Sequence, residues 1–326
     1  MKRLIFFKSA FFCVQAVNDE IRIIICLPFA LFLQKKQNMK SLVFTILLAC
    51  TVPAFVISQD MPAYRLYNSK GKEVKWSKML DDLSSSDVVF FGEQHNDPVA
   101  HWLELQLMKD LFVARDSQMV AGAEMFERDN QVIVDEFLEG MFDDSKFEED
   151  ARLWNNYETD YRPLLDYAKE NGIYFVATNV PRRYASMVFM GGFEALNDLS
   201  DRAKEFIAPL PVAYDPEVGS YKNMMGMGMG HGSSENLPKA QALKDATMAY
   251  SISQNLKPGY LFLHFNGEYH SQNKEGILWY LNRYNPGLDI KTVSAVFQKD
   301  IDNIDDDNVS KADYIIVVPE DMTRTY

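Results

Sequence analysis

Short apolar runs recur along this chain, separated by segments whose apolar residues return at helical spacing. Val88-Val89-Phe90-Phe91 and Tyr260-Leu261-Phe262-Leu263-His264-Phe265 are apolar on both faces, as parallel strands covered by helices must be. Further strands are predicted over 119–123, 173–177, 291–297 and 314–318. Pro98 opens a helix that runs to about 112, with Leu103, Leu107 and Leu111 on one stripe. Other helices are predicted over 131–138, 162–170, 238–256 and 274–283, and Asn171-Gly172 stops the second of these. Near the front, 64–76 reads as a small hairpin around Asn68-Ser69-Lys70-Gly71, and Ser77 as the cap of a helix over 78–83. The polar and aromatic stretch 140–161 reads as a helical excursion.

Strand–helix alternation at this spacing predicts an α/β fold, a mostly parallel central sheet flanked by helices. Segment 180–257 is mostly helical, and strands on both sides of it supply one sheet. It is therefore read as a smaller helical subdomain inserted into a single domain, 59–326.

Residues 1–58 break the pattern. Two apolar stretches, 21–33 and 42–57, flank Gln34-Lys35-Lys36-Gln37-Asn38. Neither supplies the roughly 20 uninterrupted apolar residues of a membrane-spanning helix. Met39-Lys40, the apolar core behind it and Val56-Ile57-Ser58 before Gln59 have secretory form. The expectation is a non-mature leader over 1–58, a true start at Met39 and a signal peptide over 39–58. The chain would then be exported to the periplasm, or held at a membrane face if Cys50 is lipidated. Leu47-Leu48-Ala49-Cys50 has the outline of a lipoprotein processing site, though Leu48 suits it poorly. All three cysteines (Cys13, Cys26, Cys50) lie in this stretch, so a mature chain has no disulfide, thiol nucleophile or thiolate metal site. Residues 59–326 are numerous enough to bury a core without such staples.

Charge narrows the partners. Asp plus Glu number 46 against 33 Lys plus Arg, which argues against nucleic acid, because phosphate binding needs a concentrated basic face. The acidic run 300–307 reads as a solvated loop, since it lacks the spaced Gly and closing Glu of a calcium-binding EF-hand.

The chemistry concentrates in two phrases, Gly92-Glu93-Gln94-His95 and Gly267-Glu268-Tyr269-His270, each following a predicted buried strand. Ligands of open α/β sheets bind at the carboxyl ends of strands. Without cysteine, imidazole and carboxylate are the natural ligands for Mn, Co or Zn, and His95, Glu124 and His270 form the candidate metal set. Glu93 and Glu124 are the candidate catalytic carboxylates of a hydrolase. The plainer alternative is two turn motifs bearing surface histidines. His101 falls on the first turns of the following helix, facing either the same pocket or solvent. Arg182, following Asn179, offers a donor fork for Glu124 or for an anionic ligand. The run from Met224 to Gly232 contains Met227, Met229 and His231. Thioether with imidazole suits copper(I) or haem iron, and Met equally fills an irregular apolar groove or lid. Phenolate can ligate ferric haem, which makes Tyr157, Tyr161 and Tyr184 candidates, along with Tyr221; spacing selects none of them.

Taken together, the two Gly-Glu-X-His phrases, His101, Gly122-Ala123-Glu124-Met125-Phe126, Asn179-Val180-Pro181-Arg182 and Asp245-Ala246-Thr247-Met248-Ala249 resemble the ChaN-like haem-binding family, within the haem-uptake and Tiki-like group. The likeness extends over about 75–300. It implies an exported, often lipid-anchored α/β domain with a helical subdomain, and haem as cofactor and partner through a tyrosine ligand. It further implies a homodimer around stacked haems and outer-membrane haem-uptake machinery as a partner. Tiki-like relatives imply a metal-dependent peptidase instead, with its roles on His95, His270 and Glu124. Asn266-Gly267-Glu268-Tyr269 departs from the small residues usual before the second histidine, as does the poor lipoprotein site. Three readings follow: a haem-binding protein of haem or iron acquisition, a metal-dependent hydrolase, and an exported non-catalytic binding module.

Overall fold

The computed structural model describes residues 5–7, 10–17, 20–26, 61–227 and 235–326, and for residues before 61 and for 226–227 only the backbone. Within residues 1–60, β1 (Ile5–Phe7), β2 (Ala10–Val17) and β3 (Glu20–Cys26) pair antiparallel in that order. The expected signal segment, Cys50, Met229 and His231 lie outside the described residues.

Residues 61–326 form the α/β unit. Its strands are β4 (Arg65–Asn68), β5 (Val88–Glu93), β6 (Met119–Glu127), β7 (Tyr174–Asn179), β8 (Leu261–Gly267), β9 (Ile290–Gln298) and β10 (Tyr314–Pro319). They lie in the order β4-β10-β9-β5-β8-β6-β7, all parallel except β4, which runs antiparallel along β10. The mostly parallel, helix-flanked sheet anticipated from the strand pattern is thus observed.

Strand side chains alternate between faces, and each face has its own cover. Val89 and Phe91 join the core roofed by α2 (Pro98–Ala114), α3 (Gln131–Leu138), α4 (Asp144–Asp150) and α5 (Arg162–Asn171). Val88 and Phe90 face the opposite core, built against α9 (Leu237–Asn255) and α10 (Ile277–Tyr284). Full burial of both strand faces explains why β5 reads as an unbroken apolar run. α2 starts as its sequence demands: Pro98 occupies the first turn, and the Asp97 carboxylate accepts from the Val99 N–H at 3.0 Å.

The hairpin expected over 64–76 is present in short form: the Asn68 N–H donates to the Lys72 carbonyl and the Val74 N–H to the Leu66 carbonyl, each at 2.9 Å, around one bridge, Tyr67 with Glu73. One local expectation is revised. Ser77 caps nothing: α1 (Trp76–Leu83) already contains it, and Lys75 precedes the helix without a side-chain cap. Between β7 and β8 the described residues are helical or loop, comprising α6 (Arg182–Gly191), α7 (Asp201–Lys204), α8 (Gly219–Met227) and α9. Among the described residues, no helix is long and apolar enough to cross a membrane.

The strand order positions the site. β8 is inserted between β5 and β6, although more than 130 residues separate it from either in sequence. Gly92 pairs with Asn266 and Glu93 with Gly267, so the two Gly-Glu-X-His phrases leave adjacent strands. They are offset by one residue. Glu93 still belongs to its strand, whereas Glu268 begins a short 3₁₀ turn (Glu268–His270). The phrases are therefore not equivalent positions of a duplicated unit.

Candidate functional site

At the carboxyl ends of β5, β6 and β8 opens a cavity of ≈ 420 Å³, bounded among others by His95, Glu124, Trp154, Gln241, Lys244 and His270. His95, Glu124 and His270 thus meet at one cavity. Gly267 lines it. A Cβ there would lie 2.7 Å from His95 Cε1 and 2.8 Å from Nε2, so only glycine leaves the imidazole its place. Gly92 is constrained in the same way, with Glu268 Cα and Ser271 Oγ each 3.0 Å from where its Cβ would be.

His95 is the exposed imidazole, its side chain 37% accessible. Its Nδ1 is 2.7 Å from Glu93 Oε1, and the Trp154 ring meets it edge-on at 4.9 Å. Burial would lower its pKa; the Glu93 hydrogen bond and the charge of Glu124 prevail and raise it. Glu93 is buried and accepts a further hydrogen bond from the Tyr161 hydroxyl at 2.8 Å. Burial opposes its ionisation, yet His101 and His95 hold its pKa down at about 2. This carboxylate fixes Nδ1 and leaves Nε2 for a ligand.

His270 is clamped on the other side. Its Nε2 is 3.1 Å from Glu124 Oε1 and its Nδ1 2.5 Å from Asp245 Oδ1. Tyr221 donates to Asp245 Oδ2 at 2.7 Å, and the Gly267 N–H donates to Glu124 Oε2 at 2.9 Å. Burial would depress the imidazole, but the two carboxylates raise its pKa to about 9, so it is an imidazolium at neutral pH. Glu124 is pushed far below the ordinary carboxylate range; burial opposes this, and the His270 charge overcomes it.

The remaining candidates disperse. Glu268 turns from the imidazoles to Gln94 Nε2 at 2.8 Å, Ser294 Oγ at 3.1 Å and Lys311 at 3.4 Å. His101 is buried behind the cavity wall. Tyr157 is buried edge-on to Phe126, Tyr161 is committed to Glu93, and the Tyr184 hydroxyl accepts from Arg183 at 3.1 Å. The expected Arg182–Glu124 pair is absent, because His270 and the Gly267 amide already satisfy Glu124. Arg182 instead lines a neighbouring cavity of ≈ 310 Å³ with Asn179, Glu127 and Ala185, and Trp154 and Lys244 border both cavities. Met227 ends α8, and its side chain lies outside the described atoms.

Gln241 and Lys244, which no sequence motif singles out, are delivered by α9 together with Asp245, which the Asp245–Ala249 motif contains without assigning it a role. A signal existed. Asp245, Thr247 and Ser251 interrupt the apolar buried face of this helix, and a buried carboxylate needs a partner. Trp154 sits in an irregular stretch, where no periodicity could mark it.

Chemically, the site offers an imidazole with an uncommitted Nε2, a carboxylate–imidazolium pair, and two cations. Neither Arg182 nor Lys244 forms an ion pair among the described residues. The fold has known relatives. The Campylobacter jejuni ChaN structure, described as cofacial heme binding, superposes with a TM-score of 0.61 at 16% identity, covering 78% of this chain and 96% of that one. A Bacillus cereus protein of solved structure reaches a TM-score of 0.42 at 11% identity, over 78% of this chain and 94% of its own. In sequence, Protein RETICULATA-RELATED 5, chloroplastic, of Arabidopsis thaliana is 24% identical over 204 residues, 58% of this chain. The matched region spans 27% of that relative's length. Residues 79–281 match the family model for haem-binding uptake, Tiki superfamily, ChaN, and on that match the chain belongs to this family.

Proposed function

We propose that this protein binds haem in the cavity at the carboxyl edge of the sheet, as an exported carrier in haem or iron handling. One observation carries the reading: His95 presents a half-exposed imidazole to the cavity while Glu93 holds its other ring nitrogen at 2.7 Å. Imidazole is an axial ligand of haem iron, and a carboxylate on its far nitrogen strengthens it as a donor. The surroundings suit the rest of the group. Trp154, Met224 and Tyr269 give aromatic and thioether walls, and Lys244 and Arg182, neither in an ion pair among the described residues, line the two adjoining cavities where propionates would sit. Bound haem would supply an iron centre for carriage or redox chemistry; the protein's part is to orient it. Family membership and the secretory form of 39–58 support the wider reading.

Hemin titration of the full chain tests it. A Soret band saturating near one or two equivalents is expected, with His95→Ala weakening the affinity by about tenfold or more. Equal affinity and an unchanged spectrum in that variant would overturn the assignment.

A metal-dependent hydrolase is the second reading, favoured by the meeting of His95, Glu124 and His270 at one cavity. It requires His270 Nε2 to leave Glu124 for an Mn, Co or Zn ion. It predicts peptide hydrolysis that depends on added metal and is abolished by His270→Ala.

A further inference from the structure

Behind the cavity wall lies a second cluster, in which Glu93 alone takes part in the readings above. His101 and Glu104 are one turn apart on α2, and Glu93 meets them from the end of β5. His101 Nδ1 is 3.0 Å from Glu104 Oε2 and 3.2 Å from Glu93 Oε2. The three side chains are 4%, 0% and 0% exposed, in the order His101, Glu104, Glu93. Two carboxylates this close and this deeply buried need positive charge between them. Glu93 Oε2 and Glu104 Oε1 nevertheless have no hydrogen-bond donor.

The tautomer of His101 follows from its other nitrogen. Nε2 is 3.2 Å from the His95 carbonyl oxygen, which can only accept. Asn156 donates to the same carbonyl at 3.1 Å and to Asp160 at 2.7 Å, which holds that side of the ring in place. Nε2 therefore carries the proton, and in the neutral ring the Nδ1 lone pair points at the two carboxylates.

We propose that His101 Nδ1, Glu93 and Glu104 form a buried site for a divalent first-row metal ion, distinct from the cavity. One ligand atom from each residue lies within 4.8 Å of the others. The nitrogen–oxygen gaps of 3.0 and 3.2 Å match the spacing, about 3.0–3.4 Å, of neighbouring ligands around an ion at about 2.1 Å. Metal-bound imidazoles ordinarily give their second N–H to a carbonyl or carboxylate, and His101 does so. A divalent ion against two carboxylates leaves a neutral buried unit. One nitrogen and two or more oxygens suit Zn²⁺ or Mn²⁺. Without metal, protons fill the same gap: burial opposes it, yet the two carboxylates push the His101 pKa up to about 12.

The site is joined to the cavity by one residue. Glu93 faces the cluster through Oε2 and holds His95 through Oε1. A metal on Oε2 draws charge from the carboxylate that orients the cavity imidazole.

The test uses the full-length protein produced in medium supplemented with Zn²⁺ or Mn²⁺, dialysed, and analysed for metal. One tightly held equivalent is expected. It should fall tenfold or more in Glu104→Gln and His101→Gln and persist in Glu124→Gln. X-ray absorption of the wild-type protein provides a check independent of any variant. A single imidazole with carboxylate oxygens supports the site, and two imidazoles would place the ion in the cavity and overturn it. Absence of metal after direct titration with either ion, or retention in both cluster variants, overturns it too. Hemin binding, read separately at the Soret band on the same preparations, reports on the haem reading without bearing on this one.

Discussion

Glu93 Oε1 and His95 Nδ1 lie 2.7 Å apart, two residues apart in sequence, at the end of a strand buried on both faces. Strand alternation sends the Glu93 side chain inward. Its carboxylate then anchors an imidazole that has already left the strand and entered the cavity.

Replacing Glu93 by Gln should show how much this anchor does. The amide keeps the shape but leaves His101 without one counter-charge. Breaking a buried charge pair costs about 3–5 kcal/mol. The expected outcome is a fall in urea midpoint of corresponding size. The His95 pKa, followed by NMR, should drop, because its largest raising contribution is gone.

His270 makes stability depend on pH on the alkaline side. Its folded pKa is raised from 6.5 to about 9 by Glu124 and Asp245. A raised imidazole pKa stabilises the folded state fully below pH 6.5, and that stabilisation decays as pH rises to about 9. The span corresponds to about 3 kcal/mol. Glu124 is the opposite case. Its depressed pKa stabilises above the ordinary carboxylate value of 4.5, and that contribution disappears as acid protonates it. Both describe one ion pair and are not added. Chemical denaturation between pH 6 and 10 should show the alkaline loss in the wild type and a shallower one in His270→Gln, the remainder coming from His95 and His101, whose pKa values are raised as well.

Gly267→Ala separates function from folding. The glycine has φ −55, so the backbone accepts alanine, and the Cβ collides only with the half-exposed His95 ring. Stability should change less than in Gly276→Ala, because the group in the way is a side chain that can turn further into the cavity. Hemin affinity should fall about as far as in His95→Ala. Gly276→Ala makes the contrast: φ is +57 and its Cβ would meet the His270 carbonyl, so that variant should lose stability as well.

Tyr161→Phe removes the hydroxyl that donates to Glu93 at 2.8 Å. Losing a hydrogen bond to a buried charged group costs about 1.5–3 kcal/mol. A lowered Tm is expected, with the Soret maximum in the wild-type position, because this ring is 1% exposed and faces the strand end. A displaced Soret band would instead make Tyr161 an iron ligand.

Much of the fold was legible in the chain because burial on two faces imposes unbroken apolar strands, and covering helices impose a recurring stripe. The helix over 131–138 and the stop at Asn171-Gly172 illustrate this: Gln131–Leu138 is a helix, and Gly172 follows α5 at φ 66. The site was legible only in part. His95, Glu124 and His270 stood out because polar residues follow apolar runs. Trp154, Gln241 and Lys244 carried no such mark, since a helix face or loop gains its role from what lies opposite.

Local pattern determined the strands, the helices and the residue types waiting at the strand ends. Tertiary structure alone decided that β8 enters between β5 and β6, placing Gly267 beside Glu93 and leading His270 to Glu124. The physical reason is that side-chain period reports which face of an element is buried. Strand order and the meeting of distant charges depend on how whole faces pack, and no local spacing encodes that.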